Sequence, residues 1–276
     1  MEKKPIKEKG GDGHIPTNKK AIEHSQKVEG VDLSLIERGL SLNDLPKTAK
    51  ELTELQEILN ETKNKKTIES KKRYERLVIE FDLQVANLIR KGFVKKAKLN
   101  VEEFRNILKT LKEKLIELSL LEFPKGQIPF IIVPREKLLS LKEKIELIEL
   151  QGRKGSTLLD LSKFKTVEYL EIPETLAYLI VDVGISITTQ EETADNAERQ
   201  LKEDGRSPIT IEEGVALALQ YPRILEEHNV IFAGSRYDTN QVADLWLHGN
   251  NPEFSLYSRN NSNPRWSLVS CGNRIG

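Results

Sequence analysis

The chain has 276 residues, 38% of them hydrophobic and 31% charged, with 43 Lys/Arg against 43 Asp/Glu. That length suits one large domain or two modest ones, and the composition is globular, on the charged side. A single cysteine excludes an internal disulfide framework, four scattered histidines argue against a dedicated zinc site, and no apolar run nears the ~18 residues of a membrane span.

The opening "MEKKPIKEKGGDGHIPTNKK" has no apolar stretch for a signal peptide. The expectation is a soluble, cytoplasmic protein with no metal, no cofactor and no membrane partner. The zero net charge hides an asymmetry. Residues 1–125 hold 27 Lys/Arg against 21 Asp/Glu, and residues 126–276 hold 16 against 22. The last 70 residues contain five arginines and no lysine. Lysine suits solvated surface, whereas arginine suits planar, ordered pairing.

Taken in chain order, residues 1–29 are too poor in apolar groups to offset the entropy of ordering and read as a disordered tail. Residues 30–125 read as a helical region. A first short helix is expected near 32–38 and a second near 46–60. In "KKRYERLVIEFDLQVANLIRKGF", Tyr74, Leu77, Val78, Phe81, Val85, Leu88 and Ile89 form one continuous helical face, stopped at Gly92. The next helix carries Val101, Phe104, Ile107, Leu108, Leu111, Leu115 and Leu118, with Asn100 and Glu103 as an N-cap and N3 pair. Both faces are wider than a coiled-coil seam.

Residues 126–276 read as an α+β domain. "QIPFIIVP" predicts a buried strand, with Pro129 marking an edge or a strand start. "REKLLSLKEKIELIELQG" predicts an amphipathic helix closed by Gly152. "TVEYLEIPETLAYLIVDVGI" predicts one or two strands, followed by two helices. Thr210 with Glu213 makes a capping box for the second of these, and Tyr221-Pro222 ends it. Four strands are expected near 230–236, 242–248, 254–259 and 266–271. The fold class predicted is α+β: a helical N-terminal region packed on a mostly antiparallel sheet with flanking helices.

Few motifs carry chemistry. "GRKGST" (152–157) fails the phosphate-loop pattern in spacing and lacks its lysine, so it reads as a solvated turn. The residues of interest lie near the end. Alternation in "VADLWLH" puts Asp244, Trp246 and His248 on one strand face, and "FSLYSR" puts Ser255, Tyr257 and Arg259 on one face of the next. Pairing His248 with Ser255 would set Trp246 opposite Tyr257 and Asp244 opposite Arg259. This suits either an exposed sheet face or a binding surface. Cys271 is a core thiol in one register; in the other it shares the polar face with His248, about 10 Å away on strand spacing.

The strings "IPFIIV", "AYLIVDV", "GRSPITIEEGVAL", "GSR", "LWL", "NP" before a Trp and "SCGNR" resemble a bacterial family catalogued only as a domain of unknown function, over roughly residues 85–276. The resemblance implies no activity, cofactor or catalytic residue. Three functional expectations follow from the residues. The first is a binding or interaction module using the C-terminal sheet, with Arg236, Trp246, Tyr257 and Arg259 as ligand-binding candidates for a protein or small molecule. The second is an enzyme of unassigned reaction around Asp244, His248 and Arg259, with Cys271 as a further catalytic candidate. The third is a nucleic-acid binder, which the acidic balance of the second half disfavours.

Overall fold

The computed structural model describes residues 49–187, 193–261 and 266–276. The expected tail over 1–29 and the expected helix near 32–38 lie outside the described residues. The chain divides into two units, residues 1–66 and 67–276. In the first unit the described residues, 49–66, are helical.

Helix α1 (Ala49–Arg90) is continuous where two separate helices were expected. Its stretch from 61 to 73 is charged and loses the apolar period, but it contains no Gly or Pro, and Lys and Glu propagate a helix well. Leu77, Phe81, Val85 and Leu88 are buried along one stripe. Gly92, at φ 85°, stops the helix and leads into α2 (Phe93–Lys96). Helix α3 (Val101–Glu113) starts at the predicted Asn100–Glu103 capping box and runs on into α4 (Leu115–Leu118).

Strand β1 (Ile128–Pro134) is followed by a short helix α5 (Leu141–Ile145), capped by Ser140. A longer helix was expected here. Instead the chain turns into a small hairpin of β2 (Glu149–Leu150) and β3 (Arg153–Lys154). Gln151 and Gly152, both at positive φ, form its two-residue turn. Two-residue strands β4 (Ser156–Thr157) and β5 (Lys165–Thr166) follow, and then the long strand β6 (Ala177–Ile187). Helix α6 (Ala194–Glu203), strand β7 (Ser207–Pro208), helix α7 (Ile211–Gln220) and helix α8 (Ile224–Glu227) complete the middle of the chain. Helix α7 carries the predicted Thr210–Glu213 capping box. The last strands are β8 (Asn229–Arg236), β9 (Gln241–His248), β10 (Asn251–Ser258), β11 (Trp266–Cys271) and β12 (Asn273–Ile275).

The main sheet runs β1-β6-β11-β8-β9-β10-β4, with β12 on β6, β5 on β8 and β7 on β11. Its pairings are antiparallel except β11 with β8 and β10 with β4. The fold is therefore α+β with a mostly antiparallel, mixed sheet. Side-chain alternation splits it into two cores. Val230, Phe232, Ala243, Leu245, Phe254, Val269 and Cys271 face the larger one, shared with α1, α3, α5 and α7. Ile231, Ala233, Val242, Tyr257 and Leu268 face the smaller one, covered by Ala194, Ala197 and Leu201 of α6.

The β9–β10 hairpin corrects the expected register. Its turn is only Gly249-Asn250, both at positive φ, and the pairs are His248 with Asn251, Trp246 with Glu253, Asp244 with Ser255 and Val242 with Tyr257. The faces match expectation because the slip is four residues, an even number. Trp246 is not opposite Tyr257, nor Asp244 opposite Arg259. The physical reason is the tight turn, which recruits Asn251 and Pro252 into the strand.

Candidate functional site

The predicted residues fall into separate environments. Asp244 is buried on the smaller-core side of β9 and accepts a 2.6 Å hydrogen bond from Ser255 Oγ. Burial first, and the nearby Glu253 charge to a lesser degree, raise its pKa to about 6 despite that bond. His248 is largely exposed, stacks on Trp246 at 5.2 Å between ring centroids and meets Glu253 through Nδ1 at 2.8 Å. Tyr257 is buried against Trp266, with centroids 4.8 Å apart. Arg259 lies opposite Asn240, whose carbonyl accepts its backbone N–H. Asn240 lies just before β9 and four residues from Asp244, on the order of 13 Å along an extended chain. Asp244, His248 and Arg259 thus each have a different partner.

Arg259 instead joins Arg236. Both reach Glu198 on α6: Arg236 Nη2 at 2.6 Å and Arg259 Nη2 at 3.6 Å, the latter also 2.5 Å from Asp195. The opposite oxygen of Glu198 accepts from Tyr169 Oη, and Lys202 Nζ is 3.7 Å from it. The same ammonium lies 3.7 Å from the centroid of the Tyr169 ring. Burial, and then the bond to Glu198, push the Tyr169 phenol upward. One buried carboxylate therefore organises two predicted arginines and two residues that sequence reasoning missed.

Tyr169 and Lys202 line a cleft of about 550 Å³. Arg206, Ser207, Gly272 and Arg274 also line it. These belong to "GRSP" and "SCGNR", brought together because β7 pairs with the end of β11. Arg206 donates through Nε to Ser270 Oγ at 2.9 Å and through Nη1 to Asp182 Oδ2 at 2.6 Å. Its Nη2 donates to the carbonyls of Asp182 and Ser270. Arg274 donates through Nε and Nη2 to the two oxygens of Glu213, at 2.6 and 2.9 Å. Its Nη1 reaches Ser207 Oγ and its Nη2 also reaches the Pro208 carbonyl. Glu213 is fully buried, accepts from Tyr178 Oη and closes the capping box of α7. Burial works against the charged Arg274, but the Glu213 bonds and charge hold its pKa above the usual value.

The backbone beneath the cleft is strained. Asp182 is in the left-handed region at φ 57°, within a strand. It lies between the paired positions Val181 and Val183, opposite Pro129, which has no N–H to give. On the other side is Gly272, where a Cβ would be 3.2 Å from Asp182 Oδ2. Non-glycine residues at positive φ cost on the order of 1–3 kcal/mol and gather at sites where surrounding structure enforces them.

Cys271, next to the cleft, is fully buried and faces the larger core. Burial raises its thiol pKa to about 11, and Ser207 Oγ is its polar neighbour at 3.6 Å. It is on a different strand from His248, with β8 between β11 and β9. Among the described residues no group of three His, Cys, Asp or Glu side chains is placed to hold a metal ion, and no helix is long and apolar enough to cross a membrane.

The signal for the missed residues was partial. An arginine-only C-terminal stretch suggested ordered guanidinium groups, but their partners are dozens of positions away in sequence. Searches of curated proteins and of solved structures return no significant match. A family model described as a family of unknown function matches residues 87–266. The matched span contains Tyr169, Asp182, Glu198, Lys202, Arg206, Ser207 and Glu213, and stops before Gly272 and Arg274. With about two thirds of its length covered, the chain belongs to this family of unknown function, DUF5701.

Proposed function

We propose that this protein is a binding module for a small polar ligand, held in the cleft between Tyr169, Lys202, Arg206 and Arg274. The observation that carries this reading is preorganisation. Each of the two arginines is fixed by four hydrogen bonds to acceptors of the protein, so little side-chain freedom remains to be lost on binding. A buried ion pair is a poor way to stabilise a fold, because apolar residues of similar volume do as well or better. Paired guanidinium groups around an open cleft are more economically explained as a recognition surface. The cleft volume also falls in the ordinary range for small-molecule sites.

The test is a thermal-shift screen of the full chain against a panel of polar metabolites, run beside Asn273→Trp. Asn273 is exposed at the cleft, so a tryptophan there fills the mouth without entering the core. At least one compound should raise the midpoint of the wild-type chain by about two degrees or more and leave the variant unmoved. A panel without a hit, or hits shared equally by both proteins, would count against the cleft.

A further inference from the structure

We propose that the cleft recognises the phosphate group of a small phosphorylated compound. This rests on reading the cleft as the ligand site and names the chemistry of its ligand. Three ion pairs surround the cleft: Lys202 with Glu198, Arg206 with Asp182 and Arg274 with Glu213. In every pair the cation lines the cleft and the carboxylate does not. Glu213 is completely buried and Glu198 nearly so. Glu213 and Glu198 orient Arg274 and Lys202 from behind, whereas Asp182 keeps about a quarter of its side chain exposed beside Arg206; on the cleft lining itself the cations outnumber the single carboxylate.

The count of donors narrows the class. A guanidinium has five N–H groups. Arg274 spends four, on Glu213 twice, on Ser207 and on Pro208. Arg206 also spends four, on Ser270 twice and on Asp182 twice. Each retains one N–H, on Nη1 in both cases. Lys202 adds an ammonium with three donors, poised over the Tyr169 ring at the rim. Three charge-assisted donors thus come from three elements: the end of α6, the approach to β7, and β12.

A carboxylate presents two oxygens in one plane. A phosphate monoester presents three terminal oxygens in three directions, carries up to two charges, and matches the set better. The cleft is far larger than a phosphate, and Leu170 and the Tyr169 ring give it an apolar side for the organic part of the ligand. Glu171 is the one carboxylate on the lining. It is exposed, so water and salt weaken its repulsion of an anion.

The experiment is a titration of the full chain with inorganic phosphate and with malonate at constant ionic strength, followed by ³¹P line broadening and calorimetry. It is repeated on Lys202→Ala and Asn273→Trp, each first shown to melt like the wild type. Phosphate should bind saturably in the millimolar range or tighter, about tenfold more weakly to Lys202→Ala and not at all to Asn273→Trp, with malonate at least tenfold weaker than phosphate. The proposal is overturned if malonate binds as well as phosphate, or if phosphate binding survives Asn273→Trp. It is also overturned if phosphate does not bind while the metabolite panel yields an uncharged or cationic compound that Asn273→Trp excludes. That last result would leave the binding role of the cleft standing; a chain that binds neither phosphate nor any panel compound would remove both readings.

Discussion

At the scale of single residues, Asp244 and Cys271 show how burial decides chemistry. Asp244 has Ser255 as its hydroxyl donor, and no cation contributes to its titration. Its pKa is about 6 in the folded chain against an ordinary 3.8, so between those values the native state keeps a proton that the unfolded chain has lost. The stability gained from the neutral form is complete below about pH 4 and is lost as the pH rises through 6. Asp244→Asn keeps an acceptor for Ser255 and removes the charge. It should raise unfolding free energy by roughly 2–3 kcal/mol at pH 7.5 and by almost nothing at pH 3.5. Urea unfolding at both values checks this, and equal effects would show that the carboxylate is solvated. Cys271 should react with a thiol reagent at least a hundredfold more slowly in the native chain than in urea. Cys271→Ser should cost on the order of 1–3 kcal/mol, because the slot has one polar neighbour and that lies beyond ordinary O–H···O distance.

At the scale of elements, local signals were legible and competing local signals were not. The capping boxes at Asn100–Glu103 and Thr210–Glu213 are four-residue patterns, and both helices begin on them. The four C-terminal strands follow from alternation, which needs no distant information. The segment 135–152 misled because its apolar spacing fits one turn of helix and a hairpin as readily as a longer helix; Gln151-Gly152 then take the left-handed conformation. The β9–β10 register was hidden by "GNNPE", which reads as a five-residue loop but turns on Gly249-Asn250 alone. Replacing Gly249, at φ 55°, with valine should therefore destabilise by about 1–2 kcal/mol and shift Trp246 fluorescence, whereas Asn250→Gly should be nearly neutral. An unchanged midpoint for the valine variant would mean that the turn tolerates other geometries. In α1, Phe81 is buried against Phe130, with ring centroids 6.1 Å apart. Phe81→Ala should cost roughly 3–5 kcal/mol in urea, and a loss below about 1 kcal/mol would show that the helix face repacks.

At the scale of the whole molecule, the cleft was the least legible feature, because its ion pairs join residues far apart in sequence. Arg274 meets Glu213 across 61 positions and Arg206 meets Asp182 across 24. No spacing rule reaches that far; only the sheet order sets β12 beside β6 and β7 beside β11. The Arg274–Glu213 pair should behave as a buried charge pair. Arg274→Met alone should cost about 3–5 kcal/mol by stranding the carboxylate, and adding Glu213→Gln should recover at least about 1 kcal/mol by removing the stranded charge. Additive losses in that double-mutant cycle would mean that the two side chains act independently. The sheet order also sets a sequence of events in time. Strands β8, β9 and β10 follow one another through short turns, while β11 must find Ile231 of β8 on one side and Ser186 of β6 on the other, pairing both through Leu268. Local hairpins close within microseconds, and pairings this remote are slower by orders of magnitude. The chain has two tryptophans: Trp246 within the early hairpin and Trp266 at the start of β11. They are two clocks in one molecule, so refolding watched through each alone should give different rates, and the pairing of β7 with β11 at the cleft should form only on the Trp266 clock.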